Sequence, residues 1–271
     1  LYFGRRSTAF DIASTSKREL TFECWFRAAE QNRNFILLHN GYTTQGKTKV
    51  EDLILGMDSL HRVYYKIGSE IRTVLLPPRQ RIWAEHWNHI ALAVSLPQKR
   101  IALYLNGEVV DDIVTDFLME GIAQPDVTIG ARTLAGEGEM YFKGDVDEVR
   151  VWHSFRSIAQ IRRTMFATLP GGTEELAGYW TMDTAVESIV FNGNKRAHSG
   201  ELHHRPCLVR ADLPRRDLPP DCVPVRTGKD GQGGIQLHAG RYLACMRPVL
   251  PRYGDASIAI RFLQTSQPAI H

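Results

Sequence analysis

The 271-residue chain has no run of about 18 apolar residues, so no segment reads as a bilayer-spanning helix. It also lacks a cluster of Lys and Arg. The net charge is only +3. The densest basic stretch, Arg210 to Arg216, is interrupted by Asp212 and Pro214. Phosphate-backbone binding needs concentrated cations, so this composition argues against a nucleic-acid partner. Cysteine is scarce. Cys24, Cys207, Cys222 and Cys245 show no metal-ligand spacing. Cys24 sits in an apolar strand and is expected to be a small buried hydrophobe. Cys207 and Cys222 flank a proline-rich stretch and are candidates for a loop-closing disulfide, one of three pairings open to four cysteines. No Ser-His-Asp order appears, and the adjacent His203 and His204 diverge too far to share a metal. Helical periodicity is nearly absent.

What is present is a soluble, core-forming composition. Hydrophobic residues make up 43% and charged residues 23%, the balance of an ordinary globular protein. The opening Leu1-Tyr2-Phe3-Gly4-Arg5-Arg6 lacks the apolar core of a signal peptide. It is expected to be a first strand, in a chain cut from a longer protein.

Strand signals dominate. Leu20, Phe22, Cys24 and Phe26 alternate with Thr21, Glu23 and Trp25, which predicts a strand with two distinct faces. Further strands are predicted over Phe35 to Leu38, Leu53 to Met57, Arg62 to Gly68, Trp87 to Ser95, Arg100 to Leu105, Val127 to Gly130 and Val146 to Trp152. Asp58-Ser59 and Asn106-Gly107 read as turns, the latter because both residues tolerate positive φ. Short strands punctuated this way predict an all-β sandwich or barrel. One surface helix is predicted over Ser157 to Ala167, with Ser157 as cap and Ile158, Ile161 and Met165 on one face.

The composition changes near Ser199. Residues 1–213 are expected to form the main domain, 214–233 a proline- and glycine-rich linker, and 234–271 a β extension or the start of a second similar module. The stretch from Ile235 to Phe262 echoes Leu1 to Phe26, as a repeat or as one more hairpin.

Several motifs fall in a telling order: Leu20 to Arg27; Trp87-Asn88-His89-Ile90-Ala91 with Leu103-Tyr104-Leu105-Asn106-Gly107; Gly144 to Trp152; and Gly178-Tyr179-Trp180-Thr181-Met182-Asp183. Together they resemble the laminin-G-like domains of the concanavalin A-like lectin and glucanase superfamily, with pentraxins as relatives. The resemblance covers roughly Leu1 to Leu213. It implies a jelly-roll β-sandwich and a non-catalytic module that binds a glycan or a cell-surface partner. It further implies a larger exported parent, secreted or at the cell surface, such as an adhesin or toxin. Alternatives are a structural spacer without its own ligand and a glycoside hydrolase.

The hydrolase alternative meets an obstacle. Glucan-cleaving relatives carry acids in an E-x-D-x-x-E arrangement on one strand, aimed into a cleft. Here Asp145 and Asp147 share a face, but no Glu occupies the required position. Trp87, Trp152 and Trp180 are expected to pack in the core or at its edges, whereas Trp83, near Pro77-Pro78 and Glu85, is expected to be exposed as a ligand-binding residue. The pentraxin likeness also implies calcium. Glu51 and Asp52, before Leu53, and Glu137 and Glu139, after Gly130, are the candidate oxygen donors. Ala131-Arg132-Thr133 departs from the pentraxin pattern there, and a solvated loop is the competing reading.

Overall fold

A computed structural model describes residues 8–12, 15–30, 34–43, 49–118, 126–134, 137–183, 185–186, 188–194, 199–202, 223–225 and 234–236. The expected opening strand at residues 1–6, the cysteines at 207, 222 and 245, and most of the internal echo lie outside them. The chain divides into two compact units, Leu1–Arg216 and Asp217–His271.

Among the described residues, the first element of the first unit is a 3-10 turn, Thr8–Phe10, followed by strands β1 (Glu19–Ala28), β2 (Phe35–Thr43), β3 (Lys49–Met57), β4 (Arg62–Ile67) and β5 (Glu70–Leu75). Then come β6 (Trp87–Ser95), β7 (Arg100–Leu105), β8 (Glu108–Val114), β9 (Asp126–Ile129), β10 (Arg132–Leu134), β11 (Glu137–Glu139) and β12 (Gly144–Trp152). Helix α1 (Ile158–Thr164) precedes β13 (Leu176–Trp180) and the short strands β14 (Ala185–Val186), β15 (Ile189–Val190) and β16 (Gly200–Glu201). One sheet runs β13-β12-β1-β6-β7-β8 and the other β5-β4-β3-β2-β9. Neighbouring strands pair antiparallel throughout. The second unit contains β17 (Val223–Val225) paired antiparallel with β18 (Gly234–Gln236).

Alternation decides the core. Leu20, Phe22, Cys24 and Phe26 of β1 join Ile90, Leu92 and Val94 of β6 and Ile101, Leu103 and Leu105 of β7 in one buried cluster. The other sheet adds Leu53, Leu55, Val63, Tyr65 and Val127 to the same cluster. Two antiparallel sheets facing across a shared apolar layer make the expected jelly-roll sandwich. The Asn106-Gly107 turn takes φ values of 52° and 71°, the left-handed pair that a two-residue hairpin requires.

The outer face of the six-stranded sheet is also covered. Trp25, Ala91, Ala93, Ala102 and Tyr104 pack against Ile161 and Met165 of the helical segment. Ser157 caps α1 through a reciprocal capping box with Gln160. The helix is shorter than the predicted span, and its last turn loosens into single hydrogen bonds at Met165 and Ala167.

Cys24 is buried and free. Burial, reinforced by the neighbouring Glu23 charge, pushes its thiol pKa far up. Iodoacetamide at pH 8 is therefore expected to leave Cys24 unmodified in the native protein and to label it in denaturant, as read by site-resolved mass spectrometry. Native labelling as fast as that of an unfolded control would contradict this packing.

Candidate functional site

One end of the sandwich gathers the turn between β3 and β4, the segment joining β5 to β6, and residues 140–143 before β12. The β5–β6 segment is pinned along its length. A 3-10 turn at Pro78–Gln80 starts from Pro77, whose φ of −63° suits an extended entry. Gln80 donates from Nε2 to Glu108 Oε2 at 2.5 Å. Ile82 is buried in the main core. The Glu85 N–H donates to the Ala28 carbonyl at 2.8 Å. An extended chain with its central residue anchored inward must point its neighbours outward. Arg81 and Trp83 are those neighbours, and Trp83 is 49% exposed. The expected exposed tryptophan is thus held on a fixed backbone.

Arg81 stacks over the Trp83 ring, its guanidinium carbon 4.7 Å from the centroid. Its Nη2 also lies 3.2 Å from His61 Nε2. A guanidinium can only donate, so any hydrogen bond here runs from Arg81 to the His61 ring nitrogen. His61 occupies the left-handed φ of 61° in the β3–β4 turn. Asp58 fixes that turn by accepting from the Leu60 and Arg62 N–H groups at 2.9 and 3.0 Å. Against the push of burial, Arg62 and these N–H groups hold the Asp58 carboxyl below its ordinary range.

A second set lies across the end of the six-stranded sheet. Asp145, Arg27 and Trp87 are register partners on β12, β1 and β6. Arg27 donates from Nε to Asp145 Oδ2 at 2.8 Å and stacks over Trp87 at 5.0 Å. Asp145 is therefore engaged with a cation. Asp147 is buried and accepts the Glu148 N–H at 2.7 Å.

Deeper on the same face lies a buried ionic cluster that sequence reasoning missed. The β1–β12 register slips between Glu23 and Trp25, leaving an extra residue on β12. Glu148 takes this bulge at φ 50°. Its Oε2 accepts from Arg150 Nη2 at 2.5 Å and from the Tyr179 hydroxyl at 2.6 Å. Burial and then the Glu148 hydrogen bond raise the Tyr179 pKa to about 12. Glu23 accepts from Trp152 Nε1 at 2.9 Å, with Arg150 Nη1 at 3.6 Å and His89 Nε2 at 3.5 Å. Burial raises the Glu23 pKa, but His89, Arg150 and Arg156 outweigh it and bring the carboxyl to about 2. Arg150 also donates to the carbonyls of Thr164 and Ala167 at 2.8 and 2.6 Å. These acids are sealed from solvent and tie the helical cover to the sheet.

The candidate metal ligands divide between two strands. Glu51 and Asp52 belong to β3, with Glu51 opposite Gly41. Glu137 and Glu139 belong to β11, with Glu139 opposite Arg132. Their side chains lie outside the described residues. Carboxylates suit calcium, but a register partner that is itself a cation does not. Among the described residues no group of three or more His, Cys, Asp or Glu could hold a metal. No helix of the described residues is long and apolar enough to cross a membrane.

Residues 5–162 match a family model described as the concanavalin A-like lectin/glucanases superfamily. No curated protein sequence matches the chain. Among solved structures, the chain is similar to a Bacteroides ovatus protein named as a candidate carbohydrate-binding protein. The two share 20% identity with a TM-score of 0.53, and the match covers 73% of this chain and 57% of that one. The chain thus spans little more than half of that relative. A pentraxin from Limulus polyphemus aligns at 16% identity and a TM-score of 0.45, over 70% of this chain and 85% of its own. The carbohydrate-binding module of a Ruminococcus gnavus sialidase, solved with α2,3-sialyllactose, aligns at 18% and 0.45, over 54% and 82%. At these identities the likeness is one of fold.

Proposed function

This chain belongs to the concanavalin A-like lectin/glucanases superfamily, and on that premise we propose that it is a non-catalytic recognition module that binds a glycan at the rim around Trp83. One observation carries the proposal. Trp83 presents an exposed indole on a backbone fixed by Ile82 and by the Glu85–Ala28 hydrogen bond. An aromatic face that is already ordered can stack on a sugar ring without a further ordering cost. The acids of β12 support a binding role over hydrolysis, since Asp145 is engaged with Arg27 and Asp147 is buried.

A glycan array followed by calorimetry on its best ligand tests this. Trp83→Ala is expected to weaken binding about tenfold, the scale of an aromatic anchor lost from an interface centre. Retained binding in the variant would move the site elsewhere. Absence of any glycan ligand, with or without chelator, would favour a spacer domain.

We extend the proposal to an exported parent, secreted or at the cell surface, in which a cell-surface protein is the other partner class. Calcium held by Glu51, Asp52, Glu137 and Glu139 is a further part of it, despite the Arg132 position. If those acids share an ion, added calcium raises the thermal midpoint; an unchanged midpoint removes it.

A further inference from the structure

We propose that the Trp83 face is built for an acidic saccharide, with the anionic group seated on Arg81; this rests on the glycan-binding role proposed for Trp83. Among the described side chains of this rim, Arg81 is the cation left without an acid. Arg27 is paired with Asp145, Arg62 with Asp58, and Lys143 with Glu30. Arg81 has no acid partner among the described residues. Its contacts are the Trp83 ring and His61 Nε2.

Those two contacts also pre-organise it. A lone surface arginine samples many rotamers, and an anion must order it on binding. Here the indole and the imidazole hold the guanidinium between two loops that are themselves fixed, one by Ile82 and the other by Asp58. One N–H group is directed at His61. The remaining donors of the fork are free to meet a carboxylate or sulfate in bidentate fashion. The surroundings match a ligand that is part anion and part apolar ring face. Trp83 is exposed, as are Leu60, beside His61, and Leu75, just before the loop. The opposing acid nearby is Glu85, which is exposed two residues after Trp83. Asp58 is neutralised by Arg62.

The same cluster could instead be a staple that only joins two loops, and binding selectivity separates these roles. The probes are uronic, sialic and sulfated glycans, each beside its neutral parent, measured at low and raised salt. The wild-type protein is expected to prefer at least one acidic glycan by about tenfold, the scale of a charge-assisted hydrogen-bond pair. That preference is expected to shrink as salt rises. Arg81→Gln, an exposed substitution, is expected to bring acidic and neutral glycans to similar affinity. The carboxylate and sulfate arms identify the anion.

No preference for any acidic glycan, or a preference unchanged in Arg81→Gln, overturns the inference. If Trp83→Ala weakens glycan binding while Arg81→Gln leaves the acidic-to-neutral ratio alone, only the charge assignment fails. If Trp83→Ala changes nothing, the Trp83 site fails as well.

Discussion

Replacing Arg150 with methionine is expected to lower the thermal midpoint of the Leu1–Arg216 unit by roughly 10 °C. Arg150 is 1% exposed and stands between Glu23 and Glu148, which are 0% and 3% exposed. Methionine fills a similar volume but leaves two buried carboxylates without their cation. Breaking a buried pair from one side costs about 3–5 kcal/mol. At about 2–4 °C per kcal/mol for a domain of this size, that gives the expected shift. The loss also frees the carbonyls of Thr164 and Ala167, so the helical cover should protect its amides less in hydrogen exchange. Arg100→Met is the control. Arg100 pairs with Asp112 on an exposed strand, where an ion pair contributes at most about 1 kcal/mol. Equal midpoints for the two variants in calorimetry would show that the buried cluster does not hold the fold.

The same cluster gives the protein an acid limb. Glu23 has an ordinary value of 4.5 and is held at about 2 in the folded state. A carboxyl lowered by folding stabilises the fold fully above its unfolded pKa. That stabilisation disappears as pH falls through the folded value. The shift corresponds to roughly 3 kcal/mol. The stability gap between wild type and Glu23→Gln is therefore expected to be constant above pH 5 and to close between 4.5 and 2. A gap independent of pH over that window would place the Glu23 charge outside the network.

Gly178→Ala is expected to destabilise by about 3 kcal/mol. A Cβ at Gly178 would lie 2.2 and 2.5 Å from atoms of the Trp180 ring. Residues two apart on a strand share a face, so the indole of Trp180 folds back over Gly178. Trp180 is fully buried and stacks on Phe10 with centroids 5.9 Å apart. A rigid ring in a packed core cannot yield a whole methyl group's width without displacing Phe10 or leaving its rotamer. Gly193→Ala is the matched control, since its Cβ would meet only Tyr179 atoms at 3.5 and 3.8 Å. The near-ultraviolet tryptophan signal and the midpoint should change in the first variant and hardly at all in the second. Indistinguishable variants would mean that the Trp180 ring lies elsewhere in solution.

Much of this is legible in the amino-acid sequence alone. The alternation from Leu20 to Phe26 placed four apolar side chains in the core and Glu23 and Trp25 on the outer face, as found. Asn106-Gly107 and the Ser157 cap were legible because turns and caps are local chemistry. Trp83 stood out by its proline-rich neighbourhood. Its partner Arg81 did not, although the Arg-Ile-Trp alternation was a usable signal: an apolar residue between two outward ones. Strand β5 escaped notice because Glu70 to Leu75 reads as a half-polar edge.

The rest required distant parts of the chain to meet. Glu23 and Arg150 are register partners although separated by more than a hundred residues. A bulge at Glu148 turns that side chain toward Arg150 and Tyr179, and period-two reasoning cannot anticipate a bulge. His61 reaches Arg81 only because a hairpin turn and a loop from another part of the rim come together. The sequence by itself determined the strands, the turns and the apolar layer, because alternation and backbone preference act over a few residues. The tertiary structure alone decided which charges are buried together and which cation is left at the rim, because pairing across sheets depends on register and strand order, which no local pattern encodes.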